Sequence, residues 1–117
     1  MAGKLVITPS ELRHCGELQS LKRTEDAGGG YSEGWVSAVN PFRFGGGPAT
    51  GYEVFQAQAI HGVVTHRFRA RWIGGVNPSM RLLWGTRVFD IKAVLNLEEA
   101  NRVMVLLCEE KGVNVSG

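Results

Sequence analysis

An alternation of apolar and polar residues in the stretch 81–95 limits what this chain can fold into. The sequence there is RLLWGTRVFDIKAVL, in which Gly85 separates two apolar runs. After that glycine, alternate residues are apolar and would share one face: Phe89, Ile91, Ala93 and Leu95. A period of two is typical of a β-strand with one buried face, and Trp84-Gly85-Thr86 is typical of a tight turn. The stretch is therefore predicted to form a β-hairpin.

Flanking runs have the same strand character, so the second half of the chain is predicted to be a β-meander. They are Thr65–Trp72 and Arg102–Cys108. In the first half, Cys15–Arg23 and Gly34–Asn40 are predicted to pair as a hairpin, with Leu18 as a core residue.

One short helix is predicted at Tyr52–Ile60, where apolar residues recur at helical spacing before His61-Gly62 ends the pattern. Together with about five or six strands, the helix predicts one mainly-β domain over residues 1–117. The expected architecture is a small antiparallel β-barrel, with a sandwich as the alternative. A chain of 117 residues, 44% of them hydrophobic, is long enough for a single core.

Glycine is concentrated in two segments that are predicted to be long flexible loops. Thr24–Gly34 reads TEDAGGGYSEG, and Phe42–Gly51 reads FRFGGGPATG. Neither is followed by the Lys-Ser/Thr pair of a phosphate-binding P-loop, so mobility is the favoured interpretation. Residues 110–117 are polar and are predicted to be a loose tail.

The charge balance argues against nucleic acid or an anionic membrane as the main partner, since the formal net charge is only +2. The charge is unevenly spread: residues 61–108 hold seven basic and three acidic side chains, against five and six in residues 1–60. No apolar run approaches the roughly 20 residues of a membrane span, and the first residues do not resemble a signal peptide. We therefore expect a protein that does not cross a membrane.

No catalytic or metal-binding constellation stands out in the sequence. His14, His61 and His66 lack the spacing of metal ligands, and His66 is predicted to be a hydrogen-bonded core residue. Cys15 and Cys108 lie far apart without a CxxC motif. Two reduced thiols are favoured, and a disulfide between them stays open. We expect no enzymatic activity, no metal and no cofactor.

Three arginines alternate along the predicted strand 65–72 and form the most functional-looking polar feature. Arg67, Arg69 and Arg71 would share one face, opposite apolar residues. Like charges on one face repel unless they are paired. One explanation of the arginine row is therefore a solvated outer face on which acidic neighbours such as Glu109 or Asp90 pair with the arginines. The other is a contact surface for an acidic partner subunit or a nucleic-acid backbone. A protein is favoured, because that face lacks the stacking aromatics of single-strand binders.

A set of short motifs keeps a characteristic order along most of the chain. They are Gly3-x-Leu5, Leu12-Arg13-His14, Leu18-Gln19, Trp35, Asn40-Pro41, Glu53, Thr65-His66, Arg69, Arg71, Pro78-x-Met80-Arg81, Gly85-x-Arg87-Val88-Phe89-Asp90-Ile91 and Leu106-Leu107-Cys108-Glu109. Their order and spacing resemble those of the tailed-phage head–tail joining proteins, also called head-closure, stopper or adaptor proteins. Gly16 and Glu17 depart from the pattern, because β-branched residues are usual there.

The resemblance implies a structural virion protein at the head–tail interface, assembled in the host cytoplasm. Members of that family are small β-barrels that form a ring below the portal or its adaptor. The ring closes the DNA channel after packaging, opens for ejection and provides a tail-docking surface. The implied partners are copies of the chain in a twelve-fold or six-fold ring, the portal-proximal adaptor, a tail terminator or completion protein, and packaged double-stranded DNA, with no membrane. Phage, prophage and gene transfer particles could each encode such a protein.

Three groups of residues are hypothesised to carry these roles. A channel or gating loop would comprise Phe42, Arg43, Phe44, Gly45, Gly46 and Gly47, with Arg43 near DNA and the aromatics between subunits. A docking loop would comprise Glu25, Asp26, Gly28, Gly29, Gly30 and Tyr31. A subunit-contact face would comprise Arg67, Arg69, Arg71, Tyr52 and Phe55.

Two other functions stay open at this point. A tail terminator ring, on the other side of the joint, would have much the same composition. A small β-barrel that binds nucleic acid through the three arginines is the other, and salt-dependent affinity for DNA would favour it.

Overall fold

The computed structural model describes residues 9–51 and 58–113, which are built mainly from six β-strands. The strands are β1 His14–Glu25, β2 Tyr31–Pro48, β3 His66–Arg71, β4 Arg81–Trp84, β5 Arg87–Asn96 and β6 Val103–Val113. Short 3-10 turns lie at Pro9–Glu11 and Leu97–Glu99. One short helix precedes β3, and its described end is residues 58–61. No helix within the described ranges is long and apolar enough to cross a membrane.

The six strands close into one antiparallel barrel in the order β1-β2-β3-β6-β5-β4, with β4 pairing back to β1. Closure pairs the strand edges that an open sheet would leave free. The predicted small antiparallel barrel with one short helix is therefore confirmed. The β4–β5 hairpin is also present: Trp84 pairs with Arg87 across a two-residue turn, in which Gly85 has a φ of 64°.

Aromatic rings fill the interior of the barrel. Phe44 stacks on Phe42 with 5.5 Å between ring centres and meets Phe68 edge to face at 5.0 Å. Phe68 in turn meets Phe89 edge to face at 5.2 Å. Leu18, the predicted core residue, is fully buried among them. Each such side chain contributes roughly 1.5–3 kcal/mol by its burial, so these rings are a main source of the barrel's stability.

A β-bulge in β5 changes which of its side chains face the core. The pairing with β6 shifts register between Ile91 and Ala93, which leaves Lys92 as an extra residue. Ala93 therefore packs with Leu107 in a second, smaller cluster, and Leu95 is 40% exposed. The prediction that Leu95 shares a buried face with the preceding residues is wrong, because the bulge resets the alternation.

The segment Phe42–Gly51 is mainly strand, which contradicts the prediction of a flexible loop. Residues 42–48 continue β2, and Gly45–Pro48 pair with β3. The strand also continues through Asn40 and Pro41, which together lie opposite Glu17 of β1. A proline fits within a strand at such a bulge, because the ladder does not require a hydrogen bond from its nitrogen.

Two glycines of β2 are required because other backbone segments pass too close for a side chain. A Cβ atom on Gly45 would overlap the carbonyl oxygen of Glu11, and one on Gly46 would overlap that of Arg67. Gly46 also has a φ of 108°, in the region that favours glycine. Gly47 differs, because its Cβ would point into open space.

The ends of several predicted segments differ from those observed. β6 extends to Val113, so the prediction of a loose tail from residue 110 is wrong up to that residue. The predicted loop Thr24–Gly34 is shorter, since β1 reaches Glu25 and β2 begins at Tyr31. The predicted helix Tyr52–Ile60 lies largely outside the described residues.

Candidate interaction surface

β1 and β2 continue past the barrel as a two-stranded arm, defined here as residues Leu21–Glu25 and Tyr31–Ala38. β4 pairs with β1 only between Glu17 and Gln19, and β3 pairs with β2 only from Gly45 onward. Every residue of the arm is exposed. At about 3.3 Å per residue the arm extends roughly 17 Å beyond these pairings, and the molecule is elongated, 55 × 28 × 26 Å.

One face of the arm carries an apolar pair followed by an ion pair. Leu21 lies opposite Trp35, and Arg23 lies opposite Glu33. The Nη2 atom of Arg23 donates to Glu33 at 2.9 Å, and its guanidinium carbon lies 5.5 Å from the centre of the Tyr31 ring. Exposed apolar side chains on a projecting element are typical of a surface that another protein covers.

The tip of the arm is a compact turn held by Asp26. Its Oδ1 atom accepts hydrogen bonds from the amides of Gly28 and Gly30, at 2.9 and 3.0 Å. The Asp26 amide donates to the Gly30 carbonyl at 2.9 Å, and Gly29 has a φ of 85°. All six residues of the predicted docking loop lie in this turn or at the strand ends beside it. Glu25 and Asp26 therefore place two negative charges at the tip.

A contact between Trp35 and Arg81 braces the base of the arm against the barrel. The guanidinium carbon of Arg81 lies 4.2 Å from the centre of the Trp35 ring. Arg81 Nε also donates to Gln19 Oε1 at 2.8 Å, and Gln19 Nε2 donates to Glu17 at 3.2 Å. Desolvation by burial lowers the pKa of Arg81, while the charges of Asp90 and Glu17 oppose that shift. No local pattern in the sequence predicts this brace, because its residues lie far apart in the chain.

β3 places its arginines on the outside of the barrel, as predicted. Arg67 and Arg69 are half-buried and Arg71 is exposed, whereas the alternate residues of β3 are buried. Arg69 forms an ion pair with Glu11 at 3.3 Å. Glu109, suggested above as a neighbour of these arginines, pairs instead with two lysines. In the described part of the chain, neither Arg67 nor Arg71 forms an ion pair.

β2 contributes glycines and one further arginine beside this row. Gly45 pairs with Arg69 and Gly47 pairs with Arg67, so no β2 side chain covers these two arginines. Arg43 is exposed on β2, between two buried phenylalanines. An open cavity of about 550 Å³ adjoins Gly45 and Arg69. The arginine face is defined here as Arg43, Arg67, Arg69 and Arg71.

The six residues of the predicted channel loop are divided between the core and the outside of the barrel. Phe42 and Phe44 are 1% and 0% exposed, which contradicts the hypothesis that they pack between subunits. Arg43 is exposed, and the three glycines that follow it are paired with β3. Tyr52 and Phe55, predicted for the subunit-contact face, lie outside the described residues.

At the end of the barrel away from the arm, His66 is a buried, hydrogen-bonded residue, as predicted. Arg87 donates from Nε and Nη2 to the Glu110 carboxylate at 2.8 and 3.1 Å, and from Nη2 to His66 Nε2 at 3.2 Å. Because arginine can only donate, His66 Nδ1 carries the proton and donates it to Thr65 Oγ1 at 2.9 Å. Desolvation by burial lowers the pKa of His66; the Glu110 charge opposes this shift and the Arg87 charge adds to it. The network braces the barrel wall.

Solved structures share this fold. The solution structure of protein SF1141 from Shigella flexneri 2a matches with a TM-score of 0.74 and 23% sequence identity, over 91% of this chain and 98% of that chain. A chain from the virion of a native gene transfer agent particle matches with a TM-score of 0.57 and 18% identity, over 87% of this chain and 96% of that chain. At these identities the likeness concerns the fold alone.

The family of the chain follows from its sequence. A search of curated proteins finds no match. The family model described as phage head completion protein matches residues 7–111, which is most of the chain. This match confirms the resemblance to phage head–tail joining proteins stated above. The chain belongs to the phage head completion protein family.

Proposed function

We propose that this protein is a ring-forming subunit of the phage head–tail connector, positioned below the portal or its adaptor. The ring closes the DNA channel after packaging and offers the surface on which the tail docks. Family membership supports a structural role in a phage particle, and the similar fold of a chain in a virion supports its place in an assembly. We expect a twelve-fold ring, with a six-fold ring as the alternative.

The exposed arm is the observation that carries this proposal. Its side chains Leu21, Tyr31, Trp35 and Val36 are 48%, 65%, 36% and 40% exposed. Clustered exposed apolar groups mark interaction sites, and aromatic residues are enriched at protein interfaces. The arm and its tip therefore suit contact with the protein neighbours of a connector, among them the adaptor and the tail completion protein.

Electron microscopy of particles made without this gene tests the proposal. We expect separated heads and tails, with heads that have lost their DNA, and normal particles when the wild-type gene is supplied in trans. A gene carrying Leu21→Glu and Val36→Glu should fail to restore them, because both side chains lie on the exposed arm. Heads that retain DNA beside tails of abnormal length would indicate a tail terminator. Normal particles without the gene would contradict any connector role.

A second candidate is a barrel that binds nucleic acid through the arginine face. It is favoured by Arg67 and Arg71, which form no ion pair in the part of the chain that the structure describes. The isolated protein would then bind duplex DNA with an affinity whose logarithm falls linearly with the logarithm of salt concentration. Absence of binding at low salt would exclude this candidate.

A further inference from the structure

Two separate places in the described part of this molecule carry charged side chains that no ion pair neutralises. Arg67 and Arg71 lie on the wall of the barrel, and neither is paired among the described residues. Glu25 and Asp26 lie at the tip of the arm, where the described residues likewise supply no cation to them. The molecule therefore carries an acidic tip and a basic face whose charges are complementary.

We propose that the arm tip of one copy docks on the arginine face of the next copy, as the repeated contact of the ring. This inference rests on the proposed function, because it specifies how the subunits of that ring meet. Two different patches that recognise each other make a head-to-tail interface. Repetition of such an interface closes into a ring when the rotation between copies allows it.

The construction of the arm prevents the tip from reaching the arginine face of its own subunit. The two strands pair continuously up to Glu25 and Tyr31, so the tip cannot fold back separately. At the base, Arg81 holds Trp35 and Gln19 against the barrel. The tip is thus directed away from the barrel, and only another molecule can bring its arginine face to it.

The surfaces of the tip and the face also suit each other. Gly47 leaves the β2 side of Arg67 open, and the tip itself contains three glycines. The two backbones can therefore approach closely enough for Arg67 and Arg71 to form charge-assisted hydrogen bonds with carboxylates. Tyr31 adds a ring beside those carboxylates that stays 65% exposed although Arg23 of the same arm lies over it, and this ring can pack against the neighbouring copy. A DNA backbone bound to the arginine face would neutralise its charge but would leave the Tyr31 ring exposed, whereas a second copy of the chain covers it.

Charge reversal and restoration test the contact in the full-length protein. Sedimentation velocity at increasing concentration should show wild-type oligomers that dissociate as salt is raised. Arg67→Glu combined with Arg71→Glu should weaken association about tenfold or more, and so should Glu25→Lys alone. Glu25→Lys combined with one reversal at a time, Arg67→Glu or Arg71→Glu, should recover association in one of the two combinations, because that contact then pairs a lysine with a glutamate. Asp26 is kept, because its carboxylate holds the turn.

A control reversal and four possible outcomes make the test decisive. Lys111→Glu reverses one charge away from both surfaces, as many as Glu25→Lys reverses at the tip, and should leave association unchanged. A wild-type protein that stays monomeric at every concentration would overturn the proposal, as would oligomers insensitive to the reversals. Binding of duplex DNA that is lost in the Arg67 and Arg71 variant, with association unchanged, would assign the face to nucleic acid. If restoration succeeds while particles without the gene are normal, the connector role fails and this contact stands.

Discussion

The guanidinium group of Arg81 lies over the indole ring of Trp35, 4.2 Å from its centre, and joins the arm to the barrel. Arg81 belongs to β4 and Trp35 to β2, two strands that are separated by β1 in the barrel. A contact across an intervening strand fixes the direction in which the arm leaves the barrel. The position of the acidic tip, and with it any contact that the tip makes, depends on this pair.

We expect Arg81→Lys to loosen the arm while the barrel stays folded. Lysine keeps the charge but lacks the planar group that covers Trp35 and donates to Gln19. Stacking of the planar group on the indole ring, which is worth about 0.5–1 kcal/mol at a partly exposed site, is weakened. Amide hydrogen exchange in Leu21–Glu25 should accelerate severalfold, whereas exchange in β6 should not change. Equal exchange rates in the arm of both proteins would contradict the bracing role.

We expect Gly45→Ala to destabilise the barrel and Gly47→Ala to be tolerated. A methyl group on Gly45 meets the carbonyl oxygen of Glu11, whereas one on Gly47 meets open space. Forced overpacking costs about 1–3 kcal/mol, and an unstrained surface change stays within about 0.5 kcal/mol. Urea unfolding of the two variants measures the difference. Equal urea midpoints for the two variants would contradict the close contact between Gly45 and the Glu11 carbonyl oxygen.

The stability of the barrel should decrease as the pH falls below about 6.5. Burial lowers the pKa of His66 in the folded state, so the unfolded chain takes up that proton first, near the ordinary value of about 6.5. The contribution of His66 is therefore present above that pH and is lost as the pH falls through the lowered pKa. The carboxyl pKa of Glu110 is lowered by its hydrogen bond from Arg87, so Glu110 acts only at still lower pH.

Urea unfolding between about pH 8 and pH 5 measures this dependence. His66→Gln removes the titrating group and should flatten the curve over that range. His61→Gln, which lies outside the network, is the matched control and should keep the slope of the wild type. Superimposable curves for the wild type and His66→Gln would mean that His66 contributes nothing to the pH dependence of stability.

A substitution in the core should lower the stability of the protein, whereas a substitution in the arm should lower its assembly into particles. Phe44→Ala removes a fully buried ring that contacts four other rings, and should cost about 3–5 kcal/mol. Val36→Ala trims an exposed arm residue and should leave thermal unfolding nearly unchanged while it lowers incorporation into particles. Equal losses of stability in both variants would contradict the division between barrel and arm.

Residues 66–71 and 87–91 could be assigned to strands because one face of each strand is buried in the barrel and the other is not, which leaves a period of two in the sequence. The end of β2 could not, since a run of three glycines normally lowers strand propensity. The reason for those glycines lies elsewhere in the chain: the carbonyl groups of Glu11 and Arg67 press on Gly45 and Gly46. Local composition therefore predicts a loop where long-range backbone contact requires glycine in a strand.

The candidate surface, like the fold, was predictable from the sequence only in part. The tip followed from its turn residues around Asp26, and the arginine row followed from its alternation in β3. The length of the arm did not, because strand pairing beyond the barrel leaves no hydrophobic period on either face. The neighbours of the arginine row could not be found either, since the register that sets Gly47 beside Arg67 is a tertiary property.

Cryo-electron microscopy of the neck of finished particles would show directly where this protein lies and how its copies meet. We expect a ring of these barrels between the portal and the tail, with each arm tip seated on the arginine face of the adjacent subunit. A neck that contains no such barrel, or barrels located elsewhere in the particle, would contradict it.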